Sequence, residues 1–274
     1  MDKIVIEKRY SKADPGSIRR VLAIQGSPRK QRISKTEIVL KAFLQGCRDE
    51  GAETETIYLR KQKIKACVGC FTCWTKTPGV CVSQDDVPEI LKKQAEADLS
   101  VFAFPLYHFG INSLTKKFIE RTLPMLEPFL IEKEDGTTTH PLRNSPGKRR
   151  YVAILGVCGF PEVSHFAAAS ANFHSLAQAD AERSFNIICE IYRPASELLS
   201  SPIYQPETER VLKAVRGAGS EVVRNGTVEQ ATIDAIARVD LDPSAIREMS
   251  NKVWEYCIRE GKTLPEFQKE MMKT

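Results

Sequence analysis

Residues 66–81, ACVGCFTCWTKTPGVC, hold four of the chain's eight cysteines, Cys67, Cys70, Cys73 and Cys81, at C-x2-C-x2-C-x7-C spacing. Four thiolates so close in sequence can take the corners of a four-iron cluster, and Gly69 and Gly79 let the loop curl around one. Zinc also accepts four thiolates, but its sites usually come as separated C-x2-C knuckles. The remaining reading is of reduced thiols packed around Trp74 or left open to oxidation. A disulfide scaffold is disfavoured. The N-terminal stretch MDKIVIEKRYSKADPGSIRR lacks the apolar core of a signal peptide, so a reducing cytoplasm is expected. Cys47, Cys158, Cys189 and Cys257 fall on element patterns and read as buried hydrophobes.

Three further stretches carry polar or aromatic groups that could hold a ligand. GSPRKQRISKTE, residues 26–37, follows an apolar run, and Gly26 gives that run a sharp exit. Ser27 offers a hydroxyl and Arg29 a planar fork, while Ser34 with Glu37 three residues on makes a capping-box pattern opening a helix. Hydroxyls and a guanidinium beside free helix N–H groups suit a phosphate, although a well-capped polar loop would show the same residues. The stretch matches neither the dinucleotide glycine fingerprint nor the nucleotide-triphosphate loop. In PLYHFGINSLTKKFIER, residues 105–121, Pro105 closes a strand, Tyr107, His108 and Phe109 offer surface for a flat ring, and Gly110 relieves the backbone. Asn112 and Ser113 read as helix-capping residues, and His108 alone reads as a surface polar group rather than an acid or base. In LGVCGFPEVSHF, residues 155–166, Gly156 and Gly159 would allow something planar to approach the backbone.

The elements that must position these loops alternate. Apolar strands are predicted near 19–26, 54–59, 98–105, 150–159 and 185–193, with amphipathic helices at 34–51, 85–97, 112–123 and 165–179. Such alternation implies βαβ units and a parallel sheet covered on both faces. Ligands of doubly wound sheets sit beyond the carboxyl ends of the strands, at the switch in strand order. That directs attention to the loops after the first, third and fourth strands. Residues 1–18 read as a polar arm, 19–205 as the α/β domain, 124–148 as a long polar excursion within it, and 206–274 as a helical extension.

The 274 residues, 42% hydrophobic and 27% charged, suit a globular core, and no apolar run is long enough to span a bilayer. The net charge of +5 is spread along the chain, without a basic helix or zinc-finger spacing, so no nucleic-acid partner and no membrane partner is expected.

Together the pieces GSPRK, PLYHFGINSLTKKFIER and GKRRYVAILGVCGFPE resemble the flavodoxin-like NAD(P)H-dependent FMN reductase family over residues 19–195, and the cysteine segment followed by Asp85 and Asp86 resembles its iron–sulfur flavoprotein branch. The resemblance implies a flavodoxin-like three-layer α/β sandwich with a five-stranded parallel sheet of order 2-1-3-4-5. It implies FMN as cofactor, with its phosphate on Ser27, Arg29, Ser34, Lys35 and Thr36. The flavin ring would lie against Pro105, Leu106, Tyr107, His108, Phe109 and Gly110 on one side and the Gly156 to Gly159 loop on the other. No protein side chain is required as a catalytic acid or base. NAD(P)H would be the hydride donor, with a quinone, a nitro compound, free flavin or a redox protein as acceptor. A 4Fe-4S cluster on Cys67, Cys70, Cys73 and Cys81 is implied only for the iron–sulfur branch. A flavodoxin-type electron carrier is the competing reading. A homodimer or homotetramer is also implied, with the Trp74 segment and the 124–148 excursion as candidate contacts. One departure stands out: family members often carry Gly-Asn-Thr where this chain has Arg32, Ile33 and Ser34.

Overall fold

The structure, a computed structural model, describes residues 6–30, 33–144, 149–179 and 185–271. Arg32 of the departure just noted, and the ends of the arm, the excursion and the helical extension, lie outside the described residues.

Five strands, β1 (Arg20–Gln25), β2 (Glu53–Tyr58), β3 (Leu99–Tyr107), β4 (Tyr151–Val157) and β5 (Asn186–Arg193), form a parallel sheet in the expected order 2-1-3-4-5. The inner strands β3 and β4 are buried on both faces, which is why they read as unbroken apolar runs. The edge strand β2 alternates with threonine and glutamate. Helices α1 (Lys35–Asp49), α5 (Gln205–Asn225) and α6 (Gln230–Ala237) cover one face. On the other lie α2 (Val87–Glu96), α3 (Ser113–Glu120) and α4 (Ala167–Ala179). Alternation along β1 feeds both layers: Val21 and Ala23 join the first core, Leu22 and Ile24 the second.

Pro105 does not close β3, as the sequence led us to expect. The strand continues through it, paired with Val157 of β4, to Tyr107. The missing N–H costs nothing there, because β1 stops pairing with β3 at Ala103.

α5 belongs to the sandwich. Val211, Val215, Ala218 and Val222 are fully buried in the same core as Val39, Leu40 and Phe43 of α1. The two helices cross at glycines: a Cβ on Gly46 would stand 1.9 Å from the Arg216 carbonyl oxygen, and one on Gly219 2.0 Å from that of Phe43. Beyond α6 lie α7 (Pro243–Arg259) and α8 (Leu264–Met271), and α8 has no buried residue.

The N-terminal arm is pinned along the edge strand β5, with the Ser11 amide donating to the Ile187 carbonyl and the Ala13 amide to that of Gly226. The excursion after α3 forms a small hairpin, Ile131–Glu132 with Thr138–Thr139. It packs on the cysteine segment: the Trp74 ring lies 4.7 Å from that of His140, and its Nε1 donates to the Leu123 carbonyl. Among the described residues, no helix is long and apolar enough to cross a membrane.

Candidate functional site

The loop after β1 folds into a cup. Ser34 is the N-cap of α1; its Oγ accepts from the Glu37 amide at 3.2 Å and donates to Ser27 Oγ at 2.9 Å. The reciprocal arm of the capping box is not made, because the Glu37 carboxylate instead takes the Tyr58 hydroxyl and pairs with Lys41. Ser27, Ser34, Lys35 and Thr36 are all buried. Gly26 is required for close approach more than for a sharp exit. A Cβ there would meet Thr115 Oγ1 at 1.8 Å, and its carbonyl accepts from Asn112 Nδ2 at 2.7 Å. Asn112 is the N-cap of α3 by position, but its side chain ties the β3 loop to the β1 loop instead of capping the helix.

Two cations line the cup. Arg29 Nη1 lies 3.0 Å from Glu197 Oε1, and Lys35 Nζ lies 3.1 Å from Glu197 Oε2 without a well-angled hydrogen bond. Burial holds the Lys35 ammonium below its ordinary pKa, against the pull of Glu197. For Glu197, burial would raise the pKa, but the charges of Lys35 and Arg29 outweigh it and hold the carboxylate below its usual range. A buried ammonium short of acceptors at a helix N-terminus is what a phosphate would satisfy, so these residues fit one.

The β3 loop is a two-residue hairpin from Tyr107 to Gly110. Its turn residues, His108 and Phe109, both have left-handed backbone, φ 47° and 60°. That turn ordinarily takes Asn-Gly, and each left-handed side-chain-bearing residue costs about 1–2 kcal/mol. Strain of this kind collects at ligand sites. Tyr107, His108 and Phe109 are exposed, and Phe109 stacks on Phe160 of the β4 loop at 5.4 Å and 18°. Phe160 in turn contacts His165. Gly159 lies in that exposed loop. Gly156 does not: it is inside β4, where the Phe166 and Tyr192 rings fill the space of a Cβ, at 2.8 and 2.9 Å. Its lack of a side chain serves core packing. Cys158 is buried, which pushes its thiol up to about 12, so it packs and does not react.

The cysteine segment is a closed loop. Arg121, buried at the C-terminus of α3, donates to the Lys65 carbonyl at 2.8 Å and to both Asp85 oxygens at 2.5 and 3.1 Å, and Asp85 also accepts from the Lys65 amide. One guanidinium therefore fastens both ends of the segment. Cys67, Cys70, Cys73 and Cys81 all line one cavity of about 20 Å³ with Phe71 and Leu123. Burial raises the Cys73 thiol pKa, and neighbouring Cys81, Cys70 and Cys67 push the same way, so the sulfurs sense one another. The Thr72 hydroxyl, 3.4 Å from Cys70 Sγ, lowers that of Cys70. The Nε of Arg121 is buried and has no hydrogen-bond partner. Among the described residues no three His, Cys, Asp or Glu side chains converge on one metal ion. The four thiols thus line one small cavity, with room for about one water, and do not converge on a single metal ion.

The profile of the NADPH-dependent FMN reductase family matches residues 19–171, more than half of the chain. The chain belongs to this family. Among similar proteins, an iron–sulfur flavoprotein of Methanocaldococcus jannaschii is 35% identical over 117 residues, 43% of this chain and 58% of that protein. Another, from Archaeoglobus fulgidus, is 35% identical over 105 residues, 38% of this chain and 46% of that protein. The chain thus spans about half the length of the relatives it matches. Among solved structures, the NAD(P)H:quinone oxidoreductase of Methanothermobacter marburgensis superposes with TM-score 0.56 at 16% identity, covering 75% of this chain and 98% of that one. An FMN-dependent NADH-azoreductase of Bacillus anthracis, solved with FMN, gives 0.54 at 16% identity, over 75% of this chain and 100% of that one. At such identity these two show the flavodoxin-like fold alone.

For this FMN reductase family member the three loops expected from sequence do meet: Asn112 joins the first to the second and Phe109 on Phe160 the second to the third. Sequence reasoning missed Glu197, Arg121 and Phe160, and noted Asp85 only as part of the acidic pair after the cysteine segment. Glu197 carries no local signal. Arg121 likewise stands in a helix end already carrying Lys116, Lys117 and Glu120, where one more charge gives no signal.

Proposed function

We propose that the chain is an FMN-dependent oxidoreductase that takes hydride from NADH or NADPH and passes electrons to a quinone, a nitro compound, free flavin or a redox protein. The observation that carries this reading is the buried Lys35 ammonium, which with Arg29 and the start of α1 makes a cationic cup beside strained, exposed aromatic loops. FMN, when bound, supplies hydride acceptance at its ring; the protein supplies position and electrostatics. Ser27, Arg29, Ser34, Lys35 and Thr36 would hold the phosphate. The backbone of residues 105–110 and Gly159 would face the ring and keep water from it, with Gly156 shaping the layer beneath. The catalytic unit is the 19–205 sandwich with α5 and α6 packed on it; the 1–18 arm, α7 and α8 are accessory.

A second reading is favoured by the grouping of four thiols in one loop that the Arg121–Asp85 pair closes. In it, Cys67, Cys70, Cys73 and Cys81 hold a 4Fe-4S cluster, as the names of the relatives support, and the protein divides electron pairs into single electrons for a partner. A flavodoxin-type carrier is less favoured, because such carriers are acidic and this chain has a net charge of +5. The protein would work in the cytoplasm as a homodimer or homotetramer, with Phe129 and Leu130, exposed on the excursion hairpin, as contact residues.

The deciding experiment is anaerobic purification, assay of iron and sulfide, and titration with FMN while NAD(P)H oxidation is followed. FMN uptake with turnover supports the enzyme, and four iron per chain adds the cluster. Failure to bind FMN at micromolar concentration rejects the flavin reading.

A further inference from the structure

Glu197 comes to the cup from the far side of the sheet. It sits in a short turn, Ser196–Ser200, that follows β5 directly after Ala195, whose backbone is left-handed at φ 46°. That conformation is held by the β4 loop: the Ala195 amide donates to the Phe160 carbonyl at 2.7 Å and the Ser196 amide to that of Cys158 at 2.8 Å. A strained residue fixed from outside aims the next side chain but one. The aim brings the Glu197 carboxylate between Arg29 and Lys35, and its Cγ lies 4.0 Å from a Cβ built on Gly159. A third donor completes the arrangement: Gln268 Nε2 of α8 reaches Glu197 Oε2 at 2.7 Å.

We propose that Glu197 is an internal competitor for the anion cup, which makes the flavin phosphate exchangeable and reports its presence to α8. This rests on the flavin reading above. A phosphate on Arg29 and Lys35 would stand within a few ångström of the carboxylate those cations hold, and two anions at that distance repel. Phosphate binding therefore displaces Glu197, and the affinity shown is what remains after two ion pairs are exchanged. Displacement also takes away the acceptor of Gln268. Among the side-chain contacts of α8, Phe267 on Tyr256 and Glu270 with Lys262 run to α7 and to the turn before α8. With no buried residue of its own, α8 is loosened when the Gln268 link to the cup breaks.

The test uses the full chain and two ligands that differ only by the phosphate, FMN and riboflavin. Glu197→Gln is expected to bind FMN on the order of tenfold more tightly than wild type and riboflavin with unchanged affinity. Glu197→Ala is a second variant should the amide keep its hydrogen bonds. In wild type, FMN and not riboflavin is expected to raise the rate of tryptic cleavage after Lys269 severalfold; Gln268→Ala is expected to be cleaved at the higher rate without flavin. Equal FMN affinity in wild type and both variants, or equal tightening toward riboflavin, overturns the competitor role and leaves the flavin reading standing. Cleavage indifferent to FMN overturns the link to α8. Failure of FMN to bind wild type and both variants overturns the flavin reading and this inference with it.

Discussion

Arg121 and Asp85 form a fully buried, two-pronged ion pair, with Nη1–Oδ2 and Nη2–Oδ1 distances of 2.5 and 3.1 Å. The pair closes the base of the cysteine loop. Its charges hold Asp85 below the usual carboxylate range, although burial alone would raise it. Removing one partner strands a buried charge.

Arg121→Met is therefore expected to destabilise the protein by about 3–5 kcal/mol and to open the cysteine loop. Alkylation of Cys73, buried in the folded loop, should accelerate well beyond the global unfolding rate, as read by mass spectrometry. A Cys73 alkylation rate equal to wild type under native conditions would show that the clamp does not order the loop.

Glu190 is a buried carboxylate that accepts from Tyr10, Ser170 and Tyr192 and pairs with Lys8 at 3.0 Å. Burial would raise its pKa, but His174, Ser170, Tyr192 and Lys8 together bring it down to about 2. A folded pKa below the unfolded one stabilises above the unfolded value and is lost as pH falls through the folded one. Near-neutral pH should carry roughly 3 kcal/mol from this group. In thermal unfolding, the gap between wild type and Glu190→Gln should be widest at pH 6–7 and shrink between about pH 4.5 and pH 2. A gap constant across that window would locate the effect elsewhere.

At the contact between the β1 and β3 loops, Gly26→Ala drives a methyl into Thr115 Oγ1. The expected outcome is a loss of about 1–3 kcal/mol and weaker FMN retention. Thr115→Ala removes the clashing atom, so the double variant should recover part of both losses. Strictly additive losses in the cycle would mean that the two positions do not press on each other.

His108 and Phe109 carry backbone strain that glycine would not. Phe109→Gly should raise the melting temperature through relief of about 1 kcal/mol, while deleting the stack on Phe160 and lowering turnover. A lower melting temperature would mean that the stack outweighs the strain.

Much of the sheet was legible because apolar runs and helical periodicity are local signals. β1, β3, β4 and β5 lie within a residue or two of their predicted positions, and Ser34 caps α1 as its type and spacing imply. Pro105 misled because a proline ends a strand only where its missing N–H has a partner to lose, and that depends on where the neighbouring strand stops. Gly156 misled for a similar reason: a glycine shows that space is needed but not whether a ligand or a neighbouring ring fills it.

Sequence by itself determined the alternation of strand and helix, the cup residues Ser27, Arg29 and Ser34, and the grouping of four thiols, because each depends on residues near one another in the chain. Tertiary structure alone decided which charges meet. Glu197 stands 168 positions from Arg29 and Asp85 36 from Arg121, and in both cases strand order and helix packing set the distance, about which a linear pattern carries no information.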